Sequence, residues 1–346
     1  MQQLPFGKAP TGKRLERIRQ SPNYRDGAFQ NLSLTPALSE GVGYYKVMKE
    51  FFCNKDKRNI PLDAIPTQKT DLKSLPPGQD ALVWFGHSSY FMQLEGKKIL
   101  VDPVFSGNAS PVNFTTRAFK GSDAYTVDDL PEIDYLFITH DHYDHLDYRT
   151  IVQLNAKVRQ VIMGLGVGGH LEHWGYDAAK LVEKDWHEHL VLDDKLQVYT
   201  TPARHFSGRG LKRNNTLWMS YVLETPTRRI YIGGDSGYDT HFAEIGSRFG
   251  PFDLAMLENG QYDDNWKYIH MRPEQVVQAA RDLGVKTLFP VHWSKFALGA
   301  HAWDEPIQRV TREAARQGVP LIHPMIGELV VLGDNATPVS WWEGLR

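Results

Sequence analysis

The 346-residue chain holds one cysteine, Cys53, so no intramolecular disulfide can form. That composition fits a reducing compartment. No apolar run approaches the ~18 residues that a membrane span requires. The N-terminal stretch MQQLPFGKAPTGKRLERIRQ lacks the apolar core of a secretion signal and reads as a polar arm. Basic charge is not in excess either. Lys and Arg number 39 against 41 Asp and Glu, a formal net charge of −2, so a nucleic-acid partner is not expected. There is no low-complexity tract and no short-period repeat. The expectation is a cytoplasmic protein, with peripheral contact at a membrane surface as an additional reading; oligomeric state stays open.

What is present is an apolar fraction of 41% with 12% aromatics, ample for a sizeable core. Residues 1–80 and 81–346 differ in character. The first segment is rich in Pro, Lys, Asn and Gln, and reads as an extension packed on the main body. Within it Tyr44, Val47, Met48, Phe51 and Phe52 recur at helical spacing. The reading is a helix packed on the body, and the alternative is a membrane-surface or acyl-chain contact. Residues 61–77 read as a Pro-rich connector.

From Ala81 strands alternate with helices, which predicts an α/β fold. Glu95-Gly96 reads as a turn before the buried run Ile99-Leu100-Val101. Four later apolar strands share one theme. The run 135–138 leads to His140, the strand through Val198 and Tyr199 leads to His205, 229–232 leads to Asp235, and 287–289 leads to His292. Strand ends are where α/β architectures place chemistry, because the sheet fixes loops that are otherwise free. Helices are expected from Pro273 to a stop at Gly284, and from an Asp304 cap to Gly318.

The central motif is THDHYDHLD, with His140, Asp141, His142, Tyr143, Asp144 and His145 directly after a buried strand. Imidazole and carboxylate together suit zinc and similar divalent metals. Alternate residues of an extended turn point the same way, so His140 and His142 can clasp one ion while Asp144 and His145 face a second. One loop cannot complete two coordination spheres, and His205, Asp235 and His292 are the candidates for the rest.

With these residues in this order the chain resembles the metallo-β-lactamase superfamily, whose H-x-H-x-D-H signature is His140, His142, Asp144 and His145. His205, Gly234-Asp235 and His292 follow in family order. The resemblance spans residues 81 to the C-terminus and implies an αββα sandwich carrying two Zn²⁺, with Mn or Fe as other occupants. It implies that His140, His142 and His205 bind one ion, that Asp144, His145 and His292 bind the other, and that Asp235 bridges. The stretches WFGHSSYFMQLEGKKILVDPVFS, LPEIDYLFITHDHYDHLDYRTI, GGDSGY, WKYIHMRPEQ and PVHWSKFAL look like the N-acyl-phosphatidylethanolamine-hydrolysing phospholipase D group. Tyr143 and Trp293 favour that group. Asp141 stands where Asn is expected, with its side chain expected to point away from the ions.

The implied function is a phosphodiesterase of phospholipase D type acting on N-acyl-phosphatidylethanolamine-like lipids through a metal-bound hydroxide. Asp144 or Asp235 would orient that hydroxide or take its proton. A lactonase or another ester hydrolase is the alternative, and a di-iron redox protein or a nuclease stands further off. His270 lies at a helix start, where anions are favoured, so it is read as a contact for substrate phosphate, or else as a loop anchor. His87 reads as a support for the metal ligands or as a buried histidine, and Asp102 as a carboxylate that orders the site. Gly164, Gly166 and Gly169 spell G-x-G-x-x-G, read here as a tight turn into a helix rather than a dinucleotide site. Arg204, Arg209, Lys212 and Arg213 either greet an anionic substrate or form a solvated loop. His170, His173, His187, His189, His241, His301 and His323 receive no role.

Overall fold

The computed structural model describes the chain apart from residues 1–3, 44, 46, 48, 50–55, 113, 211 and 335–338. Tyr44, Met48, Phe51 and Phe52, which carry the expected N-terminal helix, lie outside the described residues, as does Cys53.

A short helix α1 (Gly12–Arg19) and a two-stranded hairpin, β1 (Tyr24–Arg25) with β2 (Ala28–Phe29), precede the main body. The body begins with β3 (Ala81–Trp84), β4 (Tyr90–Leu94) and β5 (Lys97–Val101). Glu95 and Gly96 form the two-residue link between β4 and β5, both at positive φ (50° and 78°), which matches the right-handed twist of a hairpin. Strand β6 (Ile133–Ile138), helix α2 (Tyr148–Leu154), β7 (Val158–Gly164), helix α3 (Gly168–His173) and β8 (Leu181–Lys184) follow. A second set comprises β9 (His189–Val191), β10 (Gln197–Thr201), β11 (Ser220–Glu224), β12 (Arg229–Ile232), α4 (His241–Phe249), β13 (Leu254–Glu258), α5 (Pro273–Leu283), β14 (Leu288–Val291) and α6 (Glu305–Gln317). Strand β15 (Leu329–Val331) returns to the first sheet.

The sheets have orders β15-β3-β4-β5-β6-β7-β8 and β14-β13-β12-β11-β10-β9. Their side chains alternate as strand geometry requires. Leu82, Trp84, Tyr90, Met92, Tyr135 and Phe137 pack in one core with the second sheet, while Val83, Phe91, Leu100, Leu136 and Ile138 pack in another with Ile151 and Leu154 of α2 and Leu171 of α3. Helices α4 to α6 cover the second sheet through Phe242, Val276 and Ile307. The result is the αββα sandwich. Ile18, Phe29 and Ile65 from the N-terminal residues are buried in the inter-sheet core.

Strands β5-β6-β7-β8 and β12-β13-β14 are parallel, so each sheet presents a row of C-terminal ends. α5 starts at Pro273 and stops at Gly284 in the left-handed region (φ 69°), as its sequence predicts. Asp304 does occupy the cap position of α6, but its carboxylate accepts from Gln308 (2.7 Å) and pairs with Arg58 instead of the first-turn amides.

Candidate metal centre

The loop after β6 is anchored by Asp102, just past the end of β5. Asp102 accepts from Thr139 N (2.8 Å) and Thr139 Oγ1 (2.6 Å). Thr139 Oγ1 is also 3.0 Å from His140 Nδ1. Its proton is committed to Asp102, so His140 Nδ1–H is the donor and Nε2 keeps a lone pair. His205 follows the same logic, because its Nδ1–H donates to Ile269 O at 3.0 Å. Both Nε2 atoms converge on His142 Nδ1, at 2.9 Å and 3.2 Å. Neither can donate to it, so at most one of the two contacts is a hydrogen bond. A cation at their centre would satisfy all three nitrogens. Zn–N bonds of about 2.0–2.1 Å in a tetrahedron set neighbouring ligands roughly 3.3 Å apart, close to this spacing.

A second group of donors lies alongside. His145 Nδ1–H donates to Asp102 Oδ2 at 2.8 Å. Its buried Nε2 has no hydrogen-bond partner among the described residues and faces Asp235 Oδ2 at 3.2 Å and Asp144 Oδ2 at 3.4 Å. His87 Nε2 lies 2.9 Å from Asp144 Oδ2, and His292 Nδ1 lies 3.3 Å from Asp235 Oδ1. Asp235 Oδ2 is also 3.7 Å from His205 Nε2 and 3.8 Å from His140 Nε2. One carboxylate therefore faces both groups. All seven sequence-predicted ligands meet here, and the donors fit divalent cations.

The electrostatics agree with a cation-hungry site. Burial pushes His140, His205 and His292 well below the ordinary histidine value. Burial also opposes a charge on His145, but Asp235, Asp144 and Asp102 override it and lift this group well above that value. Burial would raise Asp235 and Asp144, yet the neighbouring histidines hold both well below the carboxylate range.

Backbone strain concentrates at the same edge. His87, Asp102 and His292 sit at φ 53°, 40° and 70°, each costing about 1–3 kcal/mol for a residue with a Cβ. The sheets are stitched together there, with His87 N donating to Trp293 O and His292 N donating to His87 O, both 2.9 Å. Gly234 (φ 62°) precedes Asp235, and a Cβ there would stand 2.9 Å from Thr139 Cβ. Only glycine lets these two loops approach so closely.

Other predicted residues sort by direction. Asp141 turns away, accepting from Gly208 N (2.7 Å) and Thr216 Oγ1 (2.8 Å), with His170 Nε2 at 3.2 Å. Arg209 is buried and donates to the carbonyls of Asp141, Leu146 and Pro5. Arg204 is engaged by Thr35, Leu34 O and Tyr238 O. Lys212 borders a separate cavity. Arg213 alone of the cluster lines the cavity above the metal donors, its guanidinium 4.9 Å from the Phe206 ring centre. In the G-x-G-x-x-G turn, Gly166 N and Gly168 N donate to Glu183 Oε1 (2.7 and 3.2 Å). A carboxylate occupies the place a phosphate would take.

That cavity measures about 310 Å³; its floor includes His142, Asp144, His205, Asp235, His270 and His292. Leu38, Val47, Phe206, Trp266, Ile269 and Leu298 make its walls largely apolar. Two contributors escaped the sequence reading. Asn31 clasps the backbone of His205, and Glu258, at the end of β13, accepts from His270 Nδ1 at 3.0 Å. Burial pushes Glu258 up to about 7, and although burial opposes charge on His270, Glu258 raises it. An acid closing an apolar strand was the available signal for Glu258, as it was for Asp235. Asn31 offered none.

A buried His–Asp cluster at the strand ends of an αββα sandwich, with the relatives of this chain, defines the class, a metal-dependent hydrolase of the metallo-β-lactamase fold. A family model described as a β-lactamase superfamily domain matches residues 97–293, more than half of the chain, and the chain belongs to that superfamily. It is 38% identical over 330 residues to an uncharacterized protein of Mycobacterium tuberculosis, covering 93% of this chain and 88% of that one. It is 32% identical over 228 residues to N-acyl-phosphatidylethanolamine-hydrolyzing phospholipase D 1 of Caenorhabditis elegans, covering 62% of this chain and 64% of the nematode protein. Among solved structures it is similar to Igni18, a metallo hydrolase from Ignicoccus hospitalis (TM-score 0.55, 20% identity, 73% of this chain and 97% of that one). That likeness concerns the fold alone.

Proposed function

We propose that the protein is a two-metal phosphodiesterase of phospholipase D type, acting on N-acyl-phosphatidylethanolamine-like lipids. The observation that carries this reading is the cavity: two adjoining donor groups on its floor, apolar walls above them, and Arg213 as the one Arg or Lys among the described lining residues. A phosphodiester with an acyl tail has the matching polarity, an anion for the floor and a hydrocarbon for the wall.

His140, His142 and His205 would hold one ion, Asp144, His145 and His292 the other, with Asp235 between them. Histidine-rich N/O donor sets suit zinc, and manganese or iron would be the other occupants. When bound, two such ions supply a water of lowered pKa and neutralise charge on the phosphoryl oxygens. Asp102 holds His145 in the tautomer that keeps Nε2 open. His87 steadies Asp144, whose carboxylate would take a proton from the attacking water. His270 and Arg213 meet the phosphate from the cavity side. Exposed Leu32 and Leu34, from the segment that supplies Leu38 to the wall, support contact with a lipid surface. Among the described residues no helix is long and apolar enough to cross a membrane.

The test is mass spectrometry of products from N-acyl-phosphatidylethanolamine vesicles incubated with zinc-loaded protein, beside a chelated control. Metal-dependent release of phosphatidic acid and N-acylethanolamine is expected. Absence of both products sinks the lipid assignment and turns attention to lactones and small phosphodiesters.

A further inference from the structure

The cavity above the donor groups is walled in part by the N-terminal segment, through Ala37 and Leu38. Residues 31–42 contain neither helix nor strand. Fixing irregular backbone costs conformational entropy, so its course has to be held by contacts. On one side, Asn31 clasps the His205 backbone, and Arg204 donates to Leu34 O at 2.8 Å and to Thr35 Oγ1 at 3.0 Å. On the other, Ser39 N donates to Asn265 O at 2.8 Å and Ser39 Oγ to Asp264 O at 2.5 Å. Glu40 accepts there from Tyr268 Oη at 2.5 Å and from Lys267 Nζ at 3.0 Å. The first anchors lie in the loop after β10 and the second in the loop after β13. The Arg204 guanidinium, 4.8 Å from the Tyr268 ring centre, joins the same two loops. The segment therefore bridges them, and Ala37-Leu38 falls between its anchors. None of these hydrogen bonds involves Leu38, so its size can change without releasing the bridge.

We propose that Leu38 is a specificity-determining residue that sets the length of alkyl chain the cavity accepts on an anionic diester. This rests on the phosphodiesterase reading above. The polar floor takes the phosphate, and a chain on that phosphate has the apolar wall to run against. Leu38 shares that wall with Phe206, Trp266 and Ile269. Of the two residues between the anchors, Leu38 is the one with enough hydrocarbon to decide how much room is left. Each methylene moved from water onto such a wall raises affinity by up to about fourfold. Contacts made alike in the ground state and the transition state appear in KM and leave kcat alone.

The experiment compares zinc-loaded wild type with Leu38→Trp on methyl p-nitrophenyl phosphate and butyl p-nitrophenyl phosphate. The butyl ester carries three more methylenes, so wild type should prefer it by at least about tenfold and at most about 60-fold in kcat/KM. Indole in place of the isobutyl group fills the space the chain would take. The preference should then fall to about threefold or less, with the loss in KM for the butyl ester and the ratio of the two kcat values as in wild type. Zinc content and melting temperature establish that the variant is intact. If Leu38→Trp fails to fold, Leu38→Ala, which removes wall contact, must lower the same preference by at least about fourfold. A preference that survives the substitution, or a wild type that cleaves both esters equally well, overturns the proposal while leaving the phosphodiesterase reading in place. A wild type that cleaves neither ester overturns both.

Discussion

Asn31 and His205 are joined by two hydrogen bonds across 174 residues of sequence: Asn31 Nδ2 donates to His205 O at 2.7 Å, and His205 N donates to Asn31 Oδ1 at 3.1 Å. The same Oδ1 accepts from Trp218 Nε1 at 3.1 Å. A residue of the N-terminal segment thus holds the backbone that aims His205 Nε2 at His140 and His142. The position of one candidate ligand depends on chain that the histidine motif does not include.

Asn31→Ala should therefore weaken the His140–His142–His205 site more than its neighbour. Removing the two contacts to the His205 backbone costs about 1–3 kcal/mol of stability, while Trp218 Nε1 keeps Ala203 O at 2.9 Å, and ligand-supporting contacts of this kind typically change metal affinity by roughly 10–100-fold. Competitive chelator titration of the zinc-loaded variant should show one ion leaving early. Two ions retained with wild-type affinities would remove Asn31 from the site.

Asp235 faces both donor groups, so Asp235→Asn should disturb both. The amide cannot supply two anionic oxygens, so a cation between Asp235 and either histidine group would lose a negatively charged donor. Reduced metal content by elemental analysis is expected, together with a loss of at least about 10²-fold in turnover, the scale seen when a preorganised electrostatic group is removed. Full metal content with full turnover would show that this carboxylate does not bridge.

The fold and most of this site were legible because local patterns carry them. His140, His142, Asp144 and His145 lie within six residues, and each later donor closes an apolar strand, so periodicity and punctuation sufficed. Glu258 closes a strand in the same way, but a lone acid after Leu254–Leu257 is also what an ordinary strand boundary looks like. Only the contact with His270, 12 residues on, separates the two. Asn31 has no local signature, since its role comes from a partner brought close by folding. The arginine cluster could not be resolved from spacing because the loop after His205 sends its side chains to different sides.

That loop makes a paired prediction. Arg209 is buried on three carbonyls and stacks over Tyr143 at 4.2 Å. Arg209→Ala leaves those acceptors unmatched and should cost about 3 kcal/mol or more of stability. Arg213 has no hydrogen bond or ion pair among the described residues, so Arg213→Ala should leave the melting temperature within a degree or two, in keeping with surface substitutions of about ±0.5 kcal/mol. It should instead raise KM for an anionic diester, more steeply at low salt. Thermal melts and salt-dependent kinetics on the two variants decide this, and a destabilised Arg213→Ala with unchanged KM would remove Arg213 from the substrate path.

The metal-free protein should be sensitive to acid in a defined direction. Burial depresses His140, His205 and His292 strongly, and His142 as well, from the ordinary value of 6.5. Above that value these groups are neutral both folded and unfolded. Below it the unfolded chain binds protons that the folded chain refuses, so stability is lost as pH falls. His145 opposes this, because its raised value gives stability that is present below 6.5 and lost as pH rises through its folded value. His270 and Glu258, also raised, act in the same sense as His145, but His87, His170, His241, His301 and His323 are depressed too, so the depressed groups outnumber the raised ones, and protonation of the ligand imidazoles also expels a bound cation. Melting temperature in chelator should decline as pH is lowered from about 8 to about 5, with zinc release over the same window in the loaded protein. A melting temperature that holds level or rises on acidification would mean that these histidines are not held neutral as the geometry requires.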